Sequence, residues 1–379
     1  MNKTKKIILF ITLITVCLSA LTTFGGCRLF LFSGITSSSN IGTIELTKGG
    51  IHYDLDKSTK TATVLYFESS SRSTSDHPVF TVPKTVKYFG KTYTVDQIGN
   101  YSATEMVKGG AQIGELVLPT TMKYVYLWFY ENLSTLSKIT VEAGNDTIAS
   151  VDGVLFNADK TELRYYPLGK TDETFTLPKE FTHLESRSCF WDNQYLQNLK
   201  VEEGSKSFSS VDGVLYSKDG STLVMYPSGR KTETFTAPKA MKNIKLSSHF
   251  WDNTNIKNVE SVDGGYLQAV DNALYTNDLQ ELVFRPQANG KVFAIPSTVK
   301  VVSYNSLLGV EYLYVPTSVV VFLDTLVNSK HPISKIAHIY FESDVMPKYL
   351  MQVELSGQLQ FGVERESFDS IATQQGGGV

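Results

Sequence analysis

Short apolar stretches alternate with polar turns along most of this chain. Residues 214–216 (Val-Leu-Tyr) and 222–226 flank a Lys-Asp-Gly turn, and Asp-Gly readily supplies the positive φ that a tight turn needs. The same shape occurs earlier, at 155–156 and 163–166. Helical periodicity is weak throughout, so the pattern predicts hairpins of short strands and little helix.

Four sequence blocks recur in one order, at an offset of 60 residues. The copies are Val-Asp-Gly-Val-Leu-Phe/Tyr at 151–156 and 211–216, Leu-x-x-Tyr-Pro at 163–167 and 223–227, Glu-Thr-Phe-Thr-x-Pro at 173–178 and 233–238, and Phe-Trp-Asp-Asn at 190–193 and 250–253. A third copy has decayed, and its second block is Leu-x-x-Arg-Pro at 282–286. Pro296 and Pro316 lie only 20 residues apart, which indicates a basic coil of about that length.

A unit of this kind cannot bury its apolar face alone, so neighbouring units must stack. Each strand-Pro block ends a short strand, where the missing N–H of proline costs least. The sequence therefore predicts a β-rich repeat solenoid over residues 50–350.

The blocks resemble the hairpin segment of BspA-like leucine-rich repeat proteins. The resemblance is carried by residues 210–227, by the Phe-Thr-x-Pro blocks and by the Leu-x-x-Leu rib at 196–199. Upstream, Val82-Pro83 with Gly-Lys-Thr-Tyr-Thr-Val at 90–95 is similar to the opening cap of that family. The resemblance implies a right-handed, leucine-rich-repeat-like coil with hairpin insertions. It also implies a microbial surface protein used for adhesion or ligand binding, and not an enzyme.

The N-terminus has the composition of an export signal. Three lysines precede an apolar run at 7–20, which has the length of a signal-peptide core and is short for a membrane span. Gly-Gly-Cys at 25–27 resembles the end of a bacterial lipoprotein signal, although Phe24 stands where that motif usually has Leu. Cys27 is therefore a candidate lipidation site, and simple cleavage with secretion or an uncleaved anchor are the alternatives.

These observations divide the chain into four segments. The predicted segments are a signal peptide at 1–27, a linker or tether at 28–49, the solenoid at 50–350 and a polar C-terminal tail of unknown structure, frayed at its end, at 351–379.

Composition and charge exclude several kinds of partner. Lys and Arg number 35 against 38 Asp and Glu, without a basic cluster, so no nucleic-acid partner is expected. Of three cysteines, two lie in the leader region, so removal of the leader leaves Cys189 without a partner in the chain and leaves no disulfide framework. No Cys/His cluster suggests zinc, and the Asp residues at the hairpins lack the spacing of a calcium loop. Turn formation explains those Asp residues, and no metal or cofactor is expected.

One repeated block places an aromatic residue, an acid and an amide side by side. Equivalent positions of stacked coils line up in columns, and rings beside carboxylates and amides suit a sugar or a protein hot spot. The competing interpretation is structural, in which the Trp covers the edge of the core and the Asn caps turns. The candidate ligand-binding residues are Tyr130, Trp191, Trp251, Asp192, Asp252, Asn193 and Asn253.

No motif for catalysis accompanies this block. The six histidines are scattered, and no metalloprotease, serine-hydrolase or phosphate-loop pattern is present. We therefore expect an exported cell-surface protein, not an enzyme, that binds a host protein, a matrix protein or a glycan. An accessory lipoprotein that captures carbohydrate is the alternative, and a hydrolase with a groove site is a remote one.

Overall fold

The computed structural model describes residues 43–68, 78–99, 106–108, 112–127, 133–184, 193–245, 248, 250–251, 253–323, 332–351 and 355–375. Residues Thr43–Val379 form one compact unit, and a separate unit, Met1–Gly42, lies outside the described residues. The predicted leader and Cys27 therefore also lie outside them. Among the described residues, strands and turns predominate and one α-helix is present.

A sheet at the N-terminal side caps the coils. The strands of this part are β1 Thr43–Lys48, β2 Ile51–Asp56, β3 Thr61–Glu68, β4 Val79–Thr81, β5 Thr85–Tyr88, β6 Lys91–Ile98, β7 Val107–Lys108, β8 Glu115–Leu118, β9 Tyr124–Val125 and β10 Lys138–Val141. The cap sheet has the order β1-β2-β3-β6-β5. Gly49 and Gly50, both with positive φ, turn β1 back onto β2. The predicted linker at 28–49 is therefore already part of this sheet from residue 43 onward.

The repeats follow. Their first strands are β11 Ile148–Val151, β12 Val154–Asn157, β13 Leu163–Tyr165, β14 Thr174–Leu177, β15 Asn198–Val201, β16 Phe208–Val211, β17 Val214–Ser217, β18 Thr222–Met225, β19 Thr234–Ala237 and β20 Asn243–Ile244. The later strands are β21 Asn258–Ser261, β22 Leu267–Val270, β23 Ala273–Thr276, β24 Glu281–Phe284, β25 Val292–Ala294, β26 Val301–Ser303, β27 Tyr312–Val315, β28 Val321–Leu323, β29 His338–Phe341 and β30 Gln358–Gln360.

Parallel pairing of successive coils builds two ladders. The first ladder contains β4–β8–β10, β14–β15, β19–β21 and β25–β27–β29–β30. The second contains β6–β9, β18–β20 and β24–β26–β28. A parallel strand repeated once per coil is the arrangement of a solenoid, so the predicted fold class is confirmed.

The 60-residue unit consists of two coils of unequal length. Successive first-ladder strands β10, β14, β15, β19 and β21 begin at residues 138, 174, 198, 234 and 258, which gives intervals of 36, 24, 36 and 24 residues. The longer coil carries an inserted antiparallel hairpin, as predicted, and the shorter one is the bare coil.

Each insertion begins with a two-residue turn of positive φ. The turn residues are Asp152-Gly153, Asp212-Gly213 and Asp271-Asn272, with φ between 47° and 80°. Such a turn matches the twist of the strands that it joins, here β11–β12, β16–β17 and β22–β23. The conserved spacing of the Val-Asp-Gly-Val block within this chain is thus the spacing of a hairpin.

The hairpins interrupt the first ladder. After β15, the next neighbour is the turn of the hairpin, where the Leu199 N–H donates to the Gly213 carbonyl oxygen at 2.8 Å. The Ile139 N–H donates in the same way to Gly153 at 2.9 Å, and the Val259 N–H donates to Asn272 Oδ1 at 2.8 Å. The following strands β14, β19 and β25 each keep one ladder partner among the described strands.

Alternate residues of the ladder strands form the core. In β19, Phe235 and Ala237 are buried while Thr236 is exposed, as the two-residue period of a strand requires. The core is continuous from unit to unit, because Leu215 packs in the same cluster as Phe156 and Phe175 of the preceding unit.

The C-terminal coils end under a helix, α1, at Arg365–Gln374. Phe368 of α1 packs on Tyr314 of β27 and Tyr340 of β29, with ring centroids 5.4 Å and 5.3 Å away. The segment predicted as a tail therefore supplies strand β30 and a covering helix, and the polar composition of 351–379 concealed the one apolar stripe of α1. Short 3-10 helices also occur, at Gln287–Asn289, Tyr304–Leu307, Pro332–Lys335 and Lys348–Leu350.

Candidate functional site

The structure places one aromatic residue of the predicted binding block. Trp251 has 5% of its surface exposed and packs between Phe250 and Phe284, with ring centroids 6.2 Å and 5.7 Å away. A ring at this depth offers little surface to a ligand. Tyr130, Trp191, Asp192 and Asp252 lie outside the described residues, so their predicted role stays a prediction.

The two asparagines of the block hold turns together. The buried Asn193 side chain donates to the carbonyl oxygens of Pro167, Leu168 and Lys170 at 2.8 to 3.2 Å, which joins two coils. Its oxygen accepts from the N–H groups of Tyr195 and Leu196.

Asn253, which is also buried, accepts from the N–H groups of Asn255 and Ile256 in the same way. Both contact sets favour the turn-capping interpretation of these amides.

Aspartates at the second turn of the second and third hairpins also cap backbone groups. Asp219 Oδ1 accepts from Ser217 Oγ at 2.7 Å and from the Ser221 N–H at 3.0 Å. These bonds, led by the one from Ser217, lower the pKa of Asp219 to about 2. Asp278 has the equivalent bonds from Thr276 and Gln280, and a lowered pKa. Across the described part of the chain, no group of three or more His, Cys, Asp or Glu side chains could hold a metal ion.

A cavity opens at two of the interruptions of the first ladder, and we call these the first and second seam cavities. The first, of about 400 Å³, is lined by the β16–β17 turn on one side and by β19 on the other. The second, of about 410 Å³, is lined by the β22–β23 turn and β25, with α1 as a further wall. Both volumes fall in the range of small-ligand pockets.

The two cavities have equivalent walls in consecutive units. Asp212, Tyr226, Arg230 and Phe235 of the first correspond to Asp271, Arg285, Asn289 and Phe293 of the second. The position within the fold is therefore repeated, while the chemistry differs.

In the first seam cavity a buried cation is neutralised by the turn. Arg230 is 6% exposed, and its Nη2 donates to Asp212 Oδ2 at 2.5 Å. Its Nη1 donates to the Gln197 carbonyl and to Asn198 Oδ1, both at 3.3 Å. Val211 and Val262 form an apolar rim, with 47% and 43% of their surfaces exposed.

In the second seam cavity the buried cation is Arg285, which stands at the position equivalent to Tyr226. Arg285 is 2% exposed, and its Nη2 donates to the carbonyl oxygens of Asn289 and Gly290 at 2.8 Å and 2.7 Å. Burial lowers the pKa of Arg285 to about 10, so the guanidinium still carries its charge at neutral pH.

Neither cavity emerged from the sequence patterns. Both form between a hairpin turn and a strand about twenty residues later, and α1 adds a distant wall to the second. The repeats align the turn and the strand without showing the gap between them. One signal was present in the second block of the repeats, where Arg285 replaces Tyr166 and Tyr226. A charged residue in a core position is a departure that indicates a specific role.

Comparison with known proteins gives structural neighbours and no sequence relatives. No family model matches the chain, and no curated protein matches it. The fold defines a repeat solenoid with leucine-rich-repeat-like coils.

Solved structures of that description are similar to it. The pneumococcal vaccine antigen PcpA is 17% identical, over 85% of this chain and 100% of that one, with a TM-score of 0.38. A leucine-rich cell surface protein from Faecalibacterium prausnitzii is 13% identical, over 86% and 97%, with a TM-score of 0.39. A leucine-rich repeat protein from Bacteroides ovatus is 15% identical, over 83% and 76%, with a TM-score of 0.36. With TM-scores below 0.5, the architecture rests on the ladders of this chain itself.

Proposed function

We propose that this chain is an exported surface protein that binds a host protein, a matrix protein or a glycan, and that it is not an enzyme. The observation that carries the proposal is the recurrence of a ligand-sized cavity at equivalent positions of consecutive repeat units. Recurring cavities along a solenoid suit a ligand that is long enough to occupy more than one of them.

The walls of the first seam cavity support binding more than chemistry. Arg230 and Asp212 neutralise each other, and two exposed valines form the rim. A mostly apolar lining with a few fixed polar groups is typical of a ligand pocket.

Export is the second part of the proposal, and it rests on the leader at 1–27. No helix within the described ranges is long and apolar enough to cross a membrane. Fractionation of cells that produce the wild type and Cys27→Ser tests the anchor. Lipidation predicts that the wild type stays with membranes and that the variant is released.

A binding screen tests the main proposal. The chain from residue 28 onward is applied to arrays of glycans and matrix proteins, beside the rim variant Val262→Glu. A matched control, Val320→Glu, places the same charge at a valine that is 59% exposed and outside both seam cavities. We expect binding by the wild type and the control, and a loss of about tenfold or more for the rim variant, because a bound ligand would have to desolvate a carboxylate that replaces apolar surface.

Two results would contradict the proposal. If the wild type binds no arrayed ligand, the proposed binding function is wrong. If all three proteins bind with equal affinity, the first seam cavity is not the binding site. Circular dichroism of each variant shows that a loss of binding is not a loss of folding.

A further inference from the structure

The second seam cavity contains a buried positive charge that no carboxylate neutralises. Arg285 lines the cavity and is 2% exposed, and it forms no ion pair with any carboxylate among the residues that the structure describes. Its Nη2 has two carbonyl partners, while its Nη1 is buried without a hydrogen-bond partner. A buried guanidinium with an unused donor is a large desolvation cost, which a bound anion would offset.

The preceding unit shows that the lack of a carboxylate partner is not inherent in the fold. There the equivalent position is Tyr226, and the cation four residues later, Arg230, has its own carboxylate, Asp212. In the second cavity Asp271 occupies the place of Asp212, yet it is exposed and makes no ion pair with Arg285. The third unit therefore has a buried cation at the tyrosine position but no carboxylate that pairs with it.

The other residues that line the cavity indicate which further groups a ligand would have. The guanidinium lies over the ring of Phe293, with 5.0 Å between Cζ and the ring centroid, and Phe368 and Ala372 of α1 add apolar surface. Asp271, Asn272 and Asp369 supply oxygen acceptors at less buried positions. Asp369 is itself held by Arg365 Nε at 2.7 Å.

We propose that the second seam cavity binds an acidic sugar, whose carboxylate pairs with Arg285 and whose ring lies against Phe293. A carboxylate matches the fork of a guanidinium. Hydroxyl groups match the acceptors of Asp271 and Asp369, and the apolar face of a pyranose suits a phenyl ring. The inference rests on the proposed function, for which it names the ligand class.

The test compares the binding of sugar acids with that of a neutral sugar and of a simple carboxylate. Thermal unfolding and titration calorimetry of the protein are measured with glucuronate, N-acetylneuraminate, glucose and acetate. Arg285→Tyr is the decisive variant, since tyrosine occupies the equivalent position in the two preceding units. Lys291→Gln is the matched control, because it removes one nearby positive charge that does not line the cavity.

We expect both sugar acids to bind and to raise Tm of the wild type and of Lys291→Gln, by linkage between binding and folding. Arg285→Tyr should fold, with a ligand-free Tm at or above that of the wild type, and bind the sugar acids at least about tenfold more weakly. Glucose and acetate should each bind more weakly than the sugar acids.

Three results would overturn the inference. The first is that the wild type binds neither sugar acid. The second is that Arg285→Tyr binds the sugar acids as tightly as the wild type does. The third is that acetate binds as tightly as glucuronate, which would show that the sugar ring does not contribute to binding. If Arg285→Tyr keeps full binding in the array screen while neither sugar acid binds, the surface-binding function stands and the assignment of this cavity fails.

Discussion

Trp251 and Asn253 stand in one turn, and both side chains are buried in the protein. The Phe-Trp-Asp-Asn block is visible in the sequence as a repeat, which predicts a ligand-binding column or, as the competing interpretation, structural turns. Its depth was not predictable, since the face that a turn residue presents depends on the coil stacked beside it. For Trp251 that neighbour is Phe284 of the following hairpin, more than thirty residues away in the chain.

Truncation of Trp251 tests its role in the core. Trp251→Ala should lower the free energy of unfolding by about 3–5 kcal/mol, because it leaves a cavity between Phe250 and Phe284. Trp251→Phe should cost distinctly less, since the indole Nε1 is buried without a hydrogen-bond partner and its removal leaves nothing unpaired. Denaturant unfolding measures both, and a Trp251→Ala change under about 1 kcal/mol would contradict the assignment.

At the scale of elements, the hairpins account for the long repeat. The 60-residue offset and the 20-residue coil were both readable, and the structure shows that the longer coil differs from the shorter by one inserted hairpin. The Val-Asp-Gly-Val turn has positive φ at both central residues, which its residue types favour. The insertion leaves a gap beside β19 and beside β25, where each strand lacks a ladder partner on one side. No local sequence pattern shows this gap, because it depends on the pairing between coils.

A pair of glycine substitutions separates backbone strain from steric conflict. Gly90→Ala, at φ 74° with open space around it, should cost about 1 kcal/mol for the left-handed backbone alone. Gly213→Ala has nearly the same φ, but its Cβ would lie 2.9 Å from Arg230 Nη1 and closer still to Asn198 Oδ1. We expect a clearly larger loss of stability for Gly213→Ala, and equal losses in thermal unfolding would contradict this.

The hairpin aspartates predict a pH dependence of stability. The folded-state pKa of Asp219 is about 2, below its ordinary value of 3.8, and that of Asp278 is also lowered. Each therefore stabilises the fold above about pH 4, and the contribution is lost as the pH falls toward 2. The raised pKa values of Asp96 and Glu281, both due mainly to burial, act in the opposite direction and above about pH 4.

The Asp219→Asn/Asp278→Asn variant isolates this effect. Asparagine keeps an acceptor oxygen at each turn and does not titrate. Urea unfolding between pH 5 and 2 should therefore show a shallower decline for the variant than for the wild type. Parallel curves would show that the two aspartates do not contribute.

For the whole molecule, each coil depends mainly on its neighbours. The N-terminal cap sheet and helix α1 cover surfaces that a further coil would otherwise bury. The cap was recognisable through its resemblance to the opening segment of a known family. Helix α1 was not, because only Phe368 and Ala372 of its residues are buried, and apart from Ile371 the rest are polar.

Loss of the contact between α1 and the ladder should have a local effect. Phe368→Ala removes the ring that packs on Tyr314 and Tyr340, and we expect reduced protection from hydrogen exchange in β25, β27, β29 and β30. The cap sheet should keep its protection, because each coil is stabilised mainly by contacts with its neighbours and the cap is distant from α1 along the coils. The control Glu366→Ala, on an exposed position of α1, should change neither region.

The interruptions of the first ladder also determine how the molecule yields to tension. A protein held on a surface under flow is pulled, and paired strands transmit that load from coil to coil. At a seam the load meets core packing and a bond from a hairpin turn, such as that between Leu199 and Gly213, instead of a strand pair. Seams should open first, each releasing one 60-residue unit, or about 200 Å of extended chain, before the next gives way. The inserted hairpins thus make the solenoid extensible in steps.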